Sequence, residues 1–273
     1  MRADATSTSS TSSTSSPIPA LPHALVTRDA HGVYTLQIHE AKSLNILSTP
    51  VIRDMTAAAR WIGAQPDARV VIVRGTGDKA FVGGANIYEM AELDPQRARE
   101  FITGLRHLCE AIADLPVPTI ARISGFCLGG GLELAAACDI RLGSDDAVFG
   151  MPEVRVGIPS VIHAALLPAL IGPGATNWLL LTGENVDAAQ ALRWGFLQFA
   201  CAPSELDALV QRTVTPILSS GPRAIRSQKA LLQYWRHASE EAALDRSVDA
   251  FGAAFTTDEP RTYMAPFLTR KRH

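Results

Sequence analysis

Two glutamates and a run of three glycines carry the chemistry this chain could do. Glu133 stands in Leu132-Glu-Leu-Ala-Ala-Ala-Cys138, directly after Gly129-Gly130-Gly131, and Glu153 follows in Met151-Pro-Glu153. An extended apolar run, Thr119-Ile-Ala-Arg-Ile123, precedes the glycines, so they fall at a strand-to-helix turn. Such a turn leaves backbone N–H groups without intrahelical partners, at the helix end where the dipole favours negative charge. Gly130 and Glu133 are three apart and share a face. Two carboxylates near one polarising N–H suit acid–base chemistry at a carbonyl compound. Taken singly, a glutamate on a small-residue helix is ordinarily solvated or capping. Glu133, between Leu132 and Leu134 on an apolar helix, has little solvated face to occupy, whereas Glu153 alone reads as a surface turn residue.

A second N–H donor is offered by Phe81-Val-Gly-Gly-Ala-Asn86. Two glycines ahead of Ala85 allow the backbone to approach a ligand closely, and Asn86 can cap a helix over 87–91. Alone, this is a plain glycine loop with a helix cap. Upstream, Gly75-Thr-Gly-Asp-Lys-Ala80 matches the G-x-G-x-x-A dinucleotide fingerprint after a strand. That motif must open a helix, and Phe81-Val-Gly-Gly84 forbids one. No second strand ending in an acid follows at about twenty residues either. A tight surface turn is the better reading.

These segments need elements to hold them. Residues 24–28 and 33–38 read as a hairpin, 49–64 as a helix with apolar Val51, Ile52, Met55, Ala59 and Ile62 at helical spacing, and 69–74 as a buried strand. A helix over 95–115 turns Phe101, Leu105, Leu108 and Ile112 inward, and Pro116-Val-Pro118 stops it. Strand, glycine loop and helix thus occur twice, which argues for an α/β fold. Short strands follow at 140–142 and 147–149. The periodicity predicts helices over 161–170, distorted or ended by Pro168, over 175–181, and over 188–194 with Asp187 as cap, then a strand over 196–201. From 204 the chain reads as helices over 204–219, 222–237 and 240–255, a region with little core of its own. Three divisions result: a disordered Ser/Thr/Pro-rich tail over 1–22, a core over 23–203, and a helical region over 204–273 that packs on the core or on a neighbouring subunit.

Composition excludes several function classes. Hydrophobic residues make up 47% and charged residues 19% of 273 positions, which marks a globular chain with large buried surfaces. The net charge of −2 offers no basic field for nucleic acid or acidic lipid. Cys109, Cys127, Cys138 and Cys201 show no C-x-x-C spacing and read as reduced thiols, mostly in the core. The histidines show no metal-ligand spacing, and no G-x-S-x-G elbow is present. No wholly apolar run reaches the ~18 residues of a span, and the N-terminus lacks a signal-peptide apolar region. The expectation is a cytoplasmic protein that binds neither membrane nor nucleic acid.

From about Val33 onward the chain resembles the crotonase superfamily, the enoyl-CoA hydratase/isomerase family. The resemblance rests on Ser43-Leu-Asn45, Lys79-Ala-Phe-Val-Gly-Gly-Ala85, Pro116-Val-Pro118, Gly125-Phe-Cys-Leu-Gly-Gly-Gly-Leu-Glu133, Cys138-Asp139, Phe149-Gly-Met-Pro-Glu153 and Leu181-Thr-Gly-Glu184, in that order. It implies a spiral of repeated ββα units with a C-terminal helical region, assembled as a homotrimer or a dimer of trimers. It also implies an acyl-CoA substrate, with coenzyme A as part of that substrate and no metal or redox cofactor. Carried over by position, the oxyanion hole would be the N–H groups of Ala85 and Gly130, the catalytic pair Glu133 and Glu153, and the substrate-binding residues Ser43, Ala85, Asn86, Ile87, Tyr88 and Gly130. The activity implied is hydration of the C2=C3 bond of a 2-enoyl-CoA. The same fold leaves open a double-bond isomerase using one glutamate, as well as thioester hydrolysis, decarboxylation or C–C cleavage. A CoA-binding oligomer without turnover is the non-enzymatic alternative.

The chain departs from the family pattern in three places. Asn86 stands where Asp is common, and Tyr88 where hydratases often carry a Lys near the CoA. After Glu153, hydratases usually have Pro-Gly and then a glycine pair; here Gly157-Ile-Pro-Ser-Val-Ile-His-Ala-Ala165 is one residue shorter. His163 in that segment reads as a packing or surface residue.

Overall fold

The computed structural model describes residues 17–41 and 43–269, so most of the tail expected over 1–22 lies outside the described residues. β1 (Ala24–Arg28) and β2 (Val33–Ile38) form the expected antiparallel hairpin, with Val26 opposite Leu36. Asp29 closes its turn, Oδ1 accepting from the N–H groups of His31 at 2.8 Å and Val33 at 2.9 Å. α1 (Thr49–Gly63) follows and buries the apolar face read from its spacing.

Three strand pairs come next: β3 (Val70–Arg74) with β4 (Ala80–Val82), β5 (Thr119–Ile123) with β6 (Phe126–Leu128), and β7 (Ile140–Ser144) with β8 (Val148–Gly150). The first strand of each pair joins a six-stranded sheet in the order β1-β2-β3-β5-β7-β10, where β10 is Phe199–Cys201. The second joins a four-stranded sheet in the order β4-β6-β8-β9, where β9 is Val186–Asp187. Within each sheet the neighbouring strands β3, β5, β7 and β4, β6, β8 run parallel. Parallel strands are covered on both faces, which is why β3 and β5 read as near-continuous apolar runs. Helices return the chain between pairs: α2 (Ile87–Met90) and α3 (Pro95–Ala113) after the first, α4 (Gly130–Ala137) after the second. This is the spiral of ββα units.

The G-x-G-x-x-A match is a turn between β3 and β4, stitched down by buried Asn45. Asn45 Nδ2 donates to Ala80 O at 2.7 Å and Thr76 O at 3.2 Å, and Oδ1 accepts from Thr76 N–H at 3.2 Å. No helix opens there.

The expectation of one helix over 161–170 is corrected. Ile162–Leu166 is a 3-10 turn, and α5 (Leu167–Thr182) begins after it, with Pro168 in its first turn, where a missing N–H costs nothing. Gly172, at φ 79° and ψ 158°, breaks α5 just before Pro173. By length and composition the stretch Ile162–Thr182, of mean hydropathy 1.4, could cross a membrane. Here it is a 3-10 turn and two helical pieces, and Leu167, Ile171, Thr176 and Leu179 are buried. α6 (Ala188–Arg193) is capped by Asp187, whose Oδ1 accepts from Gln190 N–H at 2.7 Å.

α7 (Leu206–Ser219) lays Leu206, Leu209, Val210 and Val214 on Val33, Val70, Ile72, Ile120 and Leu142 of the six-stranded sheet. α8 (Pro222–Trp235) is fastened by Lys229, buried at 4% exposure, whose Nζ donates to Val117 O at 2.8 Å and pairs with Asp139 Oδ2 at 2.8 Å. α9 (Glu240–Ala254) and α10 (Glu259–Thr269) complete the described chain. α10 falls in the region over 204–273 expected to be helical, although no separate helix is read beyond 255. Its Glu259 caps α8, accepting from Arg223 N–H at 3.1 Å and Ala224 N–H at 2.7 Å. Leu244, Val248, Phe251 and Phe255 on or just beyond α9, with Phe267 and Leu268 on α10, stay exposed.

Candidate active site

α4 starts where β6 ends, and its first turn is crowded. Gly129 sits at φ 52°, a left-handed conformation that glycine adopts without strain. A Cβ on Gly131 would lie 2.5 Å from Val82 O, so only glycine lets α4 lie this close to β4. The N–H of Gly129 is spent on Gly150 O at 2.9 Å. Among the described residues no acceptor lies against the N–H of Gly130, the first residue of the helix.

The loop before α2 places the second N–H. Leu47 donates to Gly84 O at 2.9 Å and accepts from Asn86 N–H at 2.9 Å, bridging parallel to Ala85. In an extended segment alternate peptide groups point to opposite sides. With Gly84 O and Asn86 N–H turned to Leu47, Ala85 N–H points the other way, and among the described residues it meets no acceptor. Asn86 caps α2, its side chain accepting from Glu89 N–H at 3.5 Å. Glu89 in turn accepts from Thr49 N–H at 3.1 Å and from the Thr49 hydroxyl, tying α2 to the start of α1.

Ala85 and Gly130 line one cavity of about 400 Å³, and Glu133 and Glu153 line it too. Phe101, Ile102 and Leu105 of α3 form one apolar wall, and Val156, Ile158, Pro159 and Val161 another. Glu133 is 3% exposed, and its Oε1 accepts from Ala164 N–H at 3.1 Å. Burial pushes its carboxyl up to about 8; the Ala164 and His163 N–H groups pull the other way, and the Glu153 charge adds to the rise. Glu153 lies in the 3-10 turn Pro152–Val156, and its Oε2 accepts from the Ser160 hydroxyl at 2.9 Å. Burial raises its carboxyl as well, against the Ser160 bond. A buried carboxyl and a half-buried one, both with raised affinity for protons and facing one cavity with two unmatched N–H groups, can move protons beside a polarised carbonyl.

A family model for enoyl-CoA hydratase/isomerase matches residues 28–273. The chain belongs to the crotonase superfamily. It is 35% identical over 238 residues to the crotonyl-CoA hydratase of Syntrophomonas wolfei, covering 87% of this chain and 92% of that protein. It is 33% identical over 241 residues to the short-chain-enoyl-CoA hydratase of Clostridium acetobutylicum, covering 88% and 92%. Among solved structures, an enoyl-CoA hydratase from Mycobacterium smegmatis superposes with a TM-score of 0.88 at 27% identity over 92% of this chain and 98% of that one. One from Bacillus anthracis gives 0.86 at 27% identity, over 91% and 97%.

Of the residues carried over from the crotonase pattern, Glu133, Glu153, Ala85, Gly130 and Ile87 come together around the cavity. Asn86 stands behind the wall as the α2 cap. Ser43 and Tyr88 are exposed and outside that wall. His163 is not among the residues lining the cavity, and burial lowers its affinity for a proton. Two contacts went unread in the sequence, Ser160 to Glu153 and Ala164 to Glu133. Both come from the segment that departs from the family pattern, so no motif could announce them. A larger cavity of about 690 Å³ between α1 and α3 holds neither carboxylate. Among the described residues no group of three His, Cys, Asp or Glu is placed to hold a metal ion.

Proposed function

We propose that this chain is an enoyl-CoA hydratase, adding water across the C2=C3 bond of a 2-enoyl-CoA to give a 3-hydroxyacyl-CoA. The observation that carries the reading is the meeting of four groups at one cavity: the carboxyls of Glu133 and Glu153 and the unmatched N–H groups of Ala85 and Gly130. The thioester oxygen accepts from the two N–H groups, which stabilise the negative charge that builds on it as C3 is attacked. Losing one such donor costs about 3 kcal/mol of barrier. The glutamates hold the water over the double bond. Its oxygen bonds to C3, one proton passes to the ionised carboxylate, and the protonated carboxyl delivers its proton to C2. Burial raises both carboxyls, and the Glu153 charge raises Glu133 further, to about 8, which favours one retained proton in the pair, the state this step requires. Water is the only co-reactant, so the step calls for no metal or redox cofactor. Coenzyme A enters and leaves as part of the substrate.

The crotonyl-CoA and short-chain-enoyl-CoA hydratase names of the two relatives support this reading. Incubation with crotonyl-CoA tests it: the conjugated enoyl absorbance is expected to fall as 3-hydroxyacyl-CoA forms. Conversion of a 3-enoyl to a 2-enoyl thioester with no hydration would show an isomerase instead.

The exposed apolar side chains of α9 and α10 support assembly as a homotrimer or a dimer of trimers. Light scattering is expected to give three or six copies per particle, and a monomer at working concentration would overturn the assembly.

A further inference from the structure

The turn that meets Glu133 is built on an unusual residue. Ala164 N–H donates to Val161 O at 2.9 Å, closing a four-residue turn over 161–164. Its first central residue, Ile162, has φ 40°, and His163 after it is not in the left-handed region. Those signs are the φ pattern of a type II′ turn, in which glycine takes the first central place. A β-branched residue there is a true outlier, and such outliers persist only where their surroundings over-determine them. Ile162 is held by packing of its side chain against the main core. One left-handed residue in such a turn points successive N–H groups the same way, forming a concavity for an anion. The N–H groups of both His163 and Ala164 act on Glu133 from this turn.

We propose that Ile162 is a positioning residue for Glu133: its packed side chain locks the 161–164 turn in a left-handed conformation that aims the Ala164 N–H, with the His163 N–H beside it, at the Glu133 carboxylate. The role builds on the proposed function through Glu133, but the geometry itself is independent of which reaction the site performs. The turn favours the ionised form of Glu133, against the burial that disfavours it. The other ionisable groups facing Glu133 are Glu153, from the segment after β8, and Cys109 of α3. Cys109 is held as a neutral thiol by burial, with the Glu133 charge adding to the effect. The charges that act on the His163 imidazole are those of Glu110, Arg106 and Asp114.

Three variants separate this role from a plain packing role. Ile162→Val keeps the branched anchor and is expected to leave turnover and its pH profile within about twofold of the starting protein. Ile162→Ala keeps the aversion to positive φ and loses the anchor, so the turn relaxes and the N–H pair leaves Glu133. Its kcat is expected to fall at least tenfold, and the limb of the kcat–pH profile set by Glu133 to move to higher pH. Ile162→Gly tolerates the left-handed conformation and is expected to recover the position of that limb. A fall in kcat with the limb unmoved in Ile162→Ala, or no rescue by glycine, would overturn the proposal.

Amide hydrogen exchange reads the same geometry without turnover, and decides the matter if Ile162→Ala does not fold. The Ala164 amide, shared between Val161 O and Glu133 Oε1, is expected to be protected in the unaltered protein and, as the turn relaxes without the carboxylate, to exchange at least tenfold faster in Glu133→Ala. Equal protection in the two would overturn the proposal. Absence of hydration by the unaltered protein, with this exchange difference intact, would count against the hydratase reading alone.

Discussion

The Glu153 carboxylate lies against the Cα of Gly129: a Cβ built on that glycine would stand 2.4 Å from Glu153 Oε1. The first glycine of the triplet therefore makes room for the second acid, while its neighbour Gly130 offers an N–H to the cavity. The helix start and the turn after β8 are one device. Gly129→Ala is expected to displace Glu153 and to lower kcat about 100-fold, the scale of a 1 Å misplacement. The backbone at φ 52° and ψ −123°, a region an alanine rarely enters, adds roughly 1–3 kcal/mol of destabilisation. Steady-state kinetics and a melting curve on the same sample check both.

Removing either acid's ability to exchange a proton tests the pairing. Glu133→Gln and Glu153→Gln are each expected to lower kcat by roughly 10²–10⁴, with the cavity preserved because the amide keeps the shape of the carboxyl. Hydration assays with crotonyl-CoA measure this. A Glu153→Gln variant of undiminished activity would leave a one-glutamate reaction, the pattern of an isomerase.

Glu133 also sets a pH dependence of stability. Its folded-state pKa, about 8, lies above the ordinary 4.5, so the folded protein holds that proton more tightly than the unfolded chain does. Its contribution is fully present below about 4.5 and is lost as the pH rises toward about 8. By linkage the loss is on the order of 4 kcal/mol. Urea midpoints taken at the two ends of that window should fall with rising pH in the unaltered protein. The fall should be smaller in Glu133→Gln, which has no charge to bury.

The glycine triplet, the two acids and the Gly-Gly-Ala loop were legible because backbone close approach and N–H chemistry restrict residue type strongly. The strand pairs were legible for the same reason that parallel strands are apolar throughout. The 161–164 turn was not: a left-handed isoleucine contradicts every local preference, and apolar spacing there imitates a helix. α10 carries Pro260 in its first turn, where a proline is harmless, and Pro266 inside it, which weakens the helical signal of that stretch. Ser43 and Tyr88 followed from motif position alone, and both stand exposed outside the cavity wall.

Lys229 makes a separable prediction about the C-terminal region. Its buried ammonium is held between Asp139 Oδ2 and Val117 O, each at 2.8 Å. Asp139 Oδ2 also accepts from Thr119 N–H at 2.7 Å. Lys229→Met leaves that carboxylate without its cation and is expected to cost roughly 3 kcal/mol or more. Chemical denaturation would show it, with kcat per folded molecule little changed because Lys229 lies outside the cavity.

The most direct test of the central claim is hydration of crotonyl-CoA in ¹⁸O-labelled water, followed by mass analysis of the product. Two acids and two N–H groups working on one bound thioester require the label to appear on C3 of a 3-hydroxyacyl-CoA, with its formation reduced at least 100-fold in both Glu133→Gln and Glu153→Gln. Label appearing in a released carboxylate with free thiol, or 3-hydroxy product formed at an undiminished rate by either variant, would contradict it.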